Sequence, residues 1–230
     1  VPENALIVGA GSGLSAALAR LFTKEGMRVA LMAREAGKLA SLCRETGARA
    51  YAGDATRPDD VAALFGAIEA EIGAADLVVY NAGQRVRGGI IELDASAVQQ
   101  SLMSNAYGAF LVAQRAARAM LAKGRGTLLF TGASASVKGY PRSAPFAMGK
   151  FALRGLAQAL ARELQPQNIH VCHVVIDGGI RPAGDPRAAA RGDDGLLEPD
   201  AIAQTYLHLH RQHRSAWAWE IELRPWRETF

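Results

Sequence analysis

The stretch from Ala5 to Phe22, ALIVGAGSGLSAALARLF, decides how the rest of the chain is read. Four strand-like residues lead into glycines at 9, 11 and 13, and a helical pattern follows with Leu14, Leu18, Leu21 and Phe22 on one face. This is strand, tight turn, helix. A helix that opens out of a glycine turn aims free backbone N–H groups and the positive end of its dipole at whatever lies above it, and without Cβ atoms a pyrophosphate can come close. Gly9, Gly11, Ser12, Gly13 and Leu14 are therefore candidate contacts for the phosphates of a dinucleotide. A glycine pattern alone is a weak sign. Its place at the first strand of a chain that alternates strand and helix to its end is a stronger one, because a doubly wound sheet keeps its phosphate site there.

Outward from this stretch, Arg28 to Ala33 (RVALMA) is a near-continuous apolar run, the pattern of a strand covered on both faces, with Gly26 marking the turn before it. Arg34 follows at the end of this second strand, from which such a fold reads the adenosine ribose. An acid there suits a 2′-hydroxyl and a base suits a 2′-phosphate, so NADP(H) is favoured over NAD(H), an ordinary solvated arginine being the alternative. Residues 35–46 fit a helix closed by Gly47, and Arg49 to Ala52 a third strand. Asp54 lies in the loop above that strand, where it can accept a hydrogen bond from an adenine amino group. Thr56-x-x-Asp59, with Pro58 in the first turn, reads as a capping box that opens a helix through Val61, Leu64, Phe65 and Ile68.

Leu77 to Tyr80 (LVVY) is a fourth buried strand, running directly into Asn81-Ala82-Gly83. The glycine allows a tight turn, and the asparagine amide can tie neighbouring strand ends together. Val98 to Ala122 reads as a helix with Asn105 inside it. A helix-interior asparagine usually faces solvent, and one facing inward needs a partner for its amide. Gly126 to Thr131 is strand five, and the small residues 132–136 form the loop at its carboxyl end. A long helix over 143–165 is stopped by Pro166, and strand six (HVCHVVI, 170–176) leaves through Asp177-Gly178-Gly179. Residues 181–197 are polar and rich in Gly and Pro, a candidate lid. A helix over 199–211 and a strand over 219–223 complete the pattern. His208, His210 and His213 do not share a helix face, so no metal site is expected.

With 230 residues, half of them hydrophobic, the chain suits one domain spanning 1–230. Its 26 basic and 22 acidic residues are scattered, so the net charge of +4 points to no nucleic-acid patch. Cys43 and Cys172 fit no metal spacing and are expected as free thiols in a reducing compartment. The first residues carry no secretory pattern, and no apolar run approaches the roughly 18 residues needed to span a bilayer. A cytoplasmic protein that makes no membrane contact is the expectation.

Together these residues resemble the short-chain dehydrogenases/reductases over essentially the whole chain. Gly9, Gly11 and Gly13 match most of that family's glycine turn, Asp54 its adenine contact, Asn81-Ala82-Gly83 its Asn-Ala-Gly, Asn105 its helix asparagine and Lys150 its active-site lysine. The resemblance implies a doubly wound α/β Rossmann fold with a mainly parallel seven-stranded sheet flanked by helices. It also implies a nicotinamide cofactor, hydride transfer to or from a small carbonyl or alcohol, and homodimers or homotetramers that pack the helices carrying Asn105 and Lys150.

The departures concern the chemistry. Val8 replaces the turn's first threonine, Ser15 its last glycine, and Asp177 the proline of the family's Pro-Gly turn. Phe146 stands four residues before Lys150, where the family has tyrosine, and Ala133 stands at the place of its serine. A general acid contributes typically 10²- to 10⁴-fold, so the missing tyrosine corresponds to about 3–5 kcal/mol of barrier and leaves cofactor binding intact. The expected catalytic set is then Lys150, or a water it holds, with Asn105, and with Ser134 orienting the substrate one residue along from the lost serine. Tyr140 in the same loop is a further candidate donor, and an NADP(H)-binding sensor or scaffold without chemistry is the alternative. Arg85, Arg87, Arg181, Arg187 and Arg191 suit either an anionic substrate or a solvated lid.

Overall fold

β1 (Asn4–Val8) is buried from end to end, as expected where the apolar run Ala5–Val8 lies in a sheet covered on both faces. The computed structural model describes residues 2–181 and 195–227, so most of the lid expected at 181–197 lies outside the described residues. β1 sits inside a seven-stranded sheet of order β3-β2-β1-β4-β5-β6-β7, in which every pairing is parallel. The chain runs from β1 out to β2 (Arg28–Ala33) and β3 (Arg49–Ala52), then crosses back to β4 (Leu77–Tyr80), β5 (Gly126–Thr131), β6 (Ile169–Ile176) and β7 (Glu220–Leu223). Its direction of travel therefore reverses between β1 and β4, which opens a crevice above their carboxyl ends. This is the Rossmann fold that the sequence implied.

One face of the sheet is covered by α1 (Leu14–Lys24), α2 (Ala40–Thr46) and α7 (Pro199–Arg211), where Leu18, Phe22 and Tyr206 belong to one core with Ile7, Leu31 and Val174. α3 (Pro58–Glu71), α5 (Gly108–Lys123) and α6 (Ala144–Leu164) cover the other, with Leu64, Val112 and Leu153 in a core with Leu6, Val78 and Val171. Among the described residues no helix is long and apolar enough to cross a membrane.

Three local expectations are corrected. The helix expected over 35–46 begins as a separate 3-10 turn, Ala36–Leu39, before α2; Gly37 in that first turn is a poor helix former. The capping box at Thr56 and Asp59 does not form. α3 starts after Arg57 with no side-chain cap, because the polar groups close the preceding loop instead. Asp54 Oδ1 accepts from both the backbone N–H and the hydroxyl of Thr56, at 2.9 and 2.8 Å, and Asp60 Oδ2 accepts from the Asp54 N–H at 2.8 Å. The helix expected from Val98 begins earlier, as α4 (Ala95–Leu102), with the Asp94 carboxylate accepting from the Ala97 N–H. It then passes through a π turn, Met103–Tyr107, before continuing as α5.

Candidate active site

The turns after β1 and β4 are locked together. Gly9 has φ +85°, and a Cβ there would lie 2.4 Å from the backbone nitrogen of Ala82, so only glycine fits. The Asn81 N–H donates to Val8 O at 2.8 Å. Asn81 Nδ2 donates to Ser15 Oγ at 2.8 Å, and that hydroxyl donates to Gly9 O at 3.1 Å. Ser15, a departure from the family's glycine, is thus the middle link between the two strand ends.

Above this junction the phosphate turn is open. A Cβ at Gly11 or Gly13 would meet nothing within 4 Å. α1 begins with no side-chain cap and no acidic residue in its first turn, which leaves its first N–H groups and dipole available to an anion. Ser12 is exposed on the turn, whereas the Leu14 side chain is buried, so Leu14 offers only its backbone. A cavity of about 570 Å³ lies over the strand ends, and Gly9, Arg34, Asp54, Asn81, Ala82 and Gly83 are among its lining residues. The turn, the ribose-reading position and the loop above β3 therefore share one crevice.

The second half of the site is built around Lys150 on α6. Its side chain is only 5% exposed, and Nζ donates to Thr131 O at 2.8 Å. Burial lowers its pKa to about 8. Asn105 lies in the π turn and faces inward, fully buried. Its Nδ2 donates to Gln84 O at 2.8 Å and to Ser101 O at 2.9 Å. Its Oδ1 has no partner among the described residues. That oxygen lies 2.6 Å, and Lys150 Nζ 3.5 Å, from the point where a Cβ on Gly83 would sit. Asn105, Gly83 and Lys150 thus converge on one spot, which carries a lone pair and an ammonium group.

Phe146 lies one helical turn before Lys150. Its ring centre is 5.8 Å from Lys150 Nζ and 5.4 Å from the guanidinium carbon of Arg85, within the range at which an aromatic face attracts a cation. Ala133 is extended and leads into a short 3-10 turn, Ser134–Ser136. The Ser134 hydroxyl is engaged by the Asp177 carboxylate, which also accepts from Lys138 Nζ at 3.3 Å and from Arg224. Burial pushes the Asp177 pKa up, but these bonds outweigh it and hold it below the usual value. The ring of Tyr140 is 44% exposed.

One constellation was missed in the sequence. His173 on β6 is fully buried, and its Nδ1 bonds Glu220 Oε2 at 2.9 Å. Arg154, one turn beyond Lys150, grips the same carboxylate through Nε and Nη2 at 2.6 and 2.8 Å. Burial lowers the His173 pKa to about 4 although Glu220 opposes the shift. The ring is therefore neutral at pH 7, with Nδ1–H donating to the carboxylate. Its Nε2 has no partner among the described residues and would lie 2.3 Å from a Cβ on Gly132. The available signal was a histidine at the centre of an apolar strand, opposite a glycine where β5 ends. Of the three histidines considered as a metal set, His208 is exposed, His210 Nδ1 bonds Thr127 Oγ1 at 2.9 Å, and His213 Nδ1 accepts from the Ser215 N–H at 3.3 Å.

A family model for the short chain dehydrogenases matches residues 3–183. The chain belongs to the short-chain dehydrogenase family. A short-chain dehydrogenase from Rhodopseudomonas palustris is 35% identical, with a TM-score of 0.83 over 97% of this chain and 99% of that one. An actinorhodin polyketide ketoreductase variant crystallised with NADPH is 26% identical, with a TM-score of 0.89 over 97% and 96% of the two chains. The 3-oxoacyl-[acyl-carrier-protein] reductase MabA of Mycobacterium tuberculosis is 29% identical over 180 residues, which are 78% of this chain and 70% of that protein. This short-chain dehydrogenase is thus related to nicotinamide-dependent oxidoreductases along nearly all of its fold.

Proposed function

We propose that this short-chain dehydrogenase binds NADP(H) in the crevice over β1 and β4 and interconverts a carbonyl compound and its alcohol, with Lys150 in place of a tyrosine as the proton-handling group. The observation that carries the reading is the convergence of the buried Lys150 ammonium and the unpartnered Asn105 Oδ1 beside Gly83. A buried cation and a bare acceptor are costly to keep in a purely structural helix pair.

The residues present fit the cofactor. The glycine cradle of Gly9, Gly11, Ser12, Gly13 and Leu14 would hold the diphosphate, Arg34 the 2′-phosphate, Asp54 the adenine amino group, and Asn81, Ala82, Gly83 and Lys150 the nicotinamide half. Preference for NADP(H) over NAD(H) rests on Arg34 and on the NADPH named for the related ketoreductase. When bound, the cofactor supplies or accepts the hydride. Lys150, protonated below about pH 8, gives its proton to the substrate oxygen in the reducing direction and takes one back from solvent. Asn105 Oδ1, without a partner among the described residues, would accept an O–H of a water beside that ammonium, and Ser134, whose hydroxyl is engaged by Asp177, would orient the substrate oxygen only by releasing that carboxylate.

The test is a fluorescence titration with NADPH and NADH, followed by a screen of carbonyl compounds for oxidation of the bound NADPH. The expected result is tighter binding of NADPH than of NADH and a turnover that vanishes in Lys150→Ala. Phe146 and Ala133 favour a second reading, a cofactor-binding sensor, which tight NADPH binding without oxidation across the screen would support. We also propose a homodimer or homotetramer formed through α5, α6 and the π turn, where Tyr107, Phe110, Met148 and Phe151 stand exposed. Sedimentation of the wild type against Phe151→Glu tests it, with a smaller species expected for the variant.

A further inference from the structure

The cations around the mouth of this site fall into two groups. Arg142 is held by Glu92 at 3.1 Å, Arg154 by Glu220, and Lys138 and Arg224 both by Asp177. Arg85 and Lys150 are ion-paired to no carboxylate among the described residues, and they are the two cations that lie against the Phe146 ring. Among the described residues Arg87, beside Arg85, is likewise ion-paired to no carboxylate, so the uncompensated positive charge of the substrate corner gathers on the Arg85 loop and at the aromatic wall. Arg85 follows directly on Gln84, whose carbonyl holds Asn105, so its loop is anchored to the reacting end of the site.

A guanidinium packed over a ring keeps its N–H fork in plane and free for a two-oxygen acceptor. Arg85 remains open to solvent, so a ligand can reach it. Burial, reinforced by Arg87, already disfavours its charge, a penalty that an anion would relieve. We propose that the substrate is a carbonyl compound bearing a carboxylate, with Arg85 as the receptor for the carboxylate and the reacting carbon lying toward Lys150. Phe146 then serves as the apolar floor between the two ends. This assignment rests on the reductase reading of the site.

The experiment compares a series of 2-, 3- and 4-oxo acids with their methyl esters, using two separate readouts. Calorimetry measures their affinity for the protein loaded with NADP⁺, and absorbance follows oxidation of NADPH. Wild type is expected to bind at least one acid about tenfold or more tightly than its ester, the scale of a charge-assisted bond. Arg85→Gln should erase that preference while leaving NADPH affinity and ester binding unchanged, and Arg85→Lys should keep part of it. Equal binding of acids and esters by wild type, no binding of any acid, or a preference that survives Arg85→Gln would each overturn the assignment. Acid preference without NADPH oxidation would keep Arg85 as the receptor and overturn the reductase reading. Oxidation with esters as good as acids would do the reverse.

Discussion

Phe146 holds the position of a proton donor with a ring that has no proton to exchange, so the reactivity of the site turns on the groups touching that ring. Phe146→Tyr is expected to raise the rate of NADPH oxidation by about 10²-fold or more, with NADPH affinity unchanged; steady-state kinetics on both proteins measure it. Lys150 sets the pH dependence. Its folded pKa, about 8, lies below the ordinary 10.5, so the reduction rate should fall as pH rises through about 8. The unfolded chain keeps that proton to higher pH, so the stability cost of the buried charge is fully present below about pH 8 and disappears between about 8 and 10.5. Lys150→Met should therefore melt at a higher temperature than wild type at pH 7, with the gap closing over that window. Gly9→Ala should abolish NADPH binding and cost about 1–3 kcal/mol in urea, because its φ is positive and Ala82 occupies the space. Gly9, Asp54 and Asn81 were picked out in the sequence because each stands just past a strand end, and Lys150, inside α6, only through the family resemblance; their roles toward a cofactor are proposals. Arg85 stood in the sequence only as one of five arginines suited to an anionic substrate or a solvated lid, and His173 was not singled out, since their meaning comes from partners, Phe146 and Glu220, far away in sequence.

Strands were easier to read than helix ends. β2, β4 and β5 run as the apolar stretches suggested, because a strand buried on both faces admits few polar residues. Helix starts depend on which of several donors an Asp or Thr side chain meets, and spacing does not decide that. Thr56 and Asp60 went to the Asp54 loop, while Asp94 capped a helix that was expected to begin later. Asp94→Ala is accordingly expected to cost about 1 kcal/mol in urea denaturation, the usual value of an N-cap. The π turn was illegible for a different reason. It follows from seating Asn105 against Gly149, where a Cβ would lie 2.6 Å from Asn105 Cβ, and such close packing appears only once α4, α5 and α6 are assembled.

For the molecule as a whole, acid is the weak point. His170 and His173 both have their pKa lowered, first of all by burial. The unfolded chain therefore takes up protons before the folded one, and stability falls as pH drops from about 6.5 toward 4. Asp177 and Glu220, both held below their usual values by their cationic partners, add to the loss at the lower end. Melting temperature against pH measures this, and His173→Gln is expected to flatten the slope while lowering stability at pH 7 through loss of the Glu220 bond. At this scale the alternation of strands and helices pointed to a doubly wound sheet and the family resemblance to its seven strands, whereas the order of the sheet came only with the structure.

The join between the turns after β1 and β4 is made by a glycine, backbone atoms and the Asn81–Ser15–Gly9 relay, with no part played by residues 133 or 146. The frame that shapes the crevice is thus independent of the reagents mounted above it. Reactive side chains can be exchanged without loosening the scaffold, which makes this protein a starting point from which chemistry can drift, or be redesigned, while the architecture stays put.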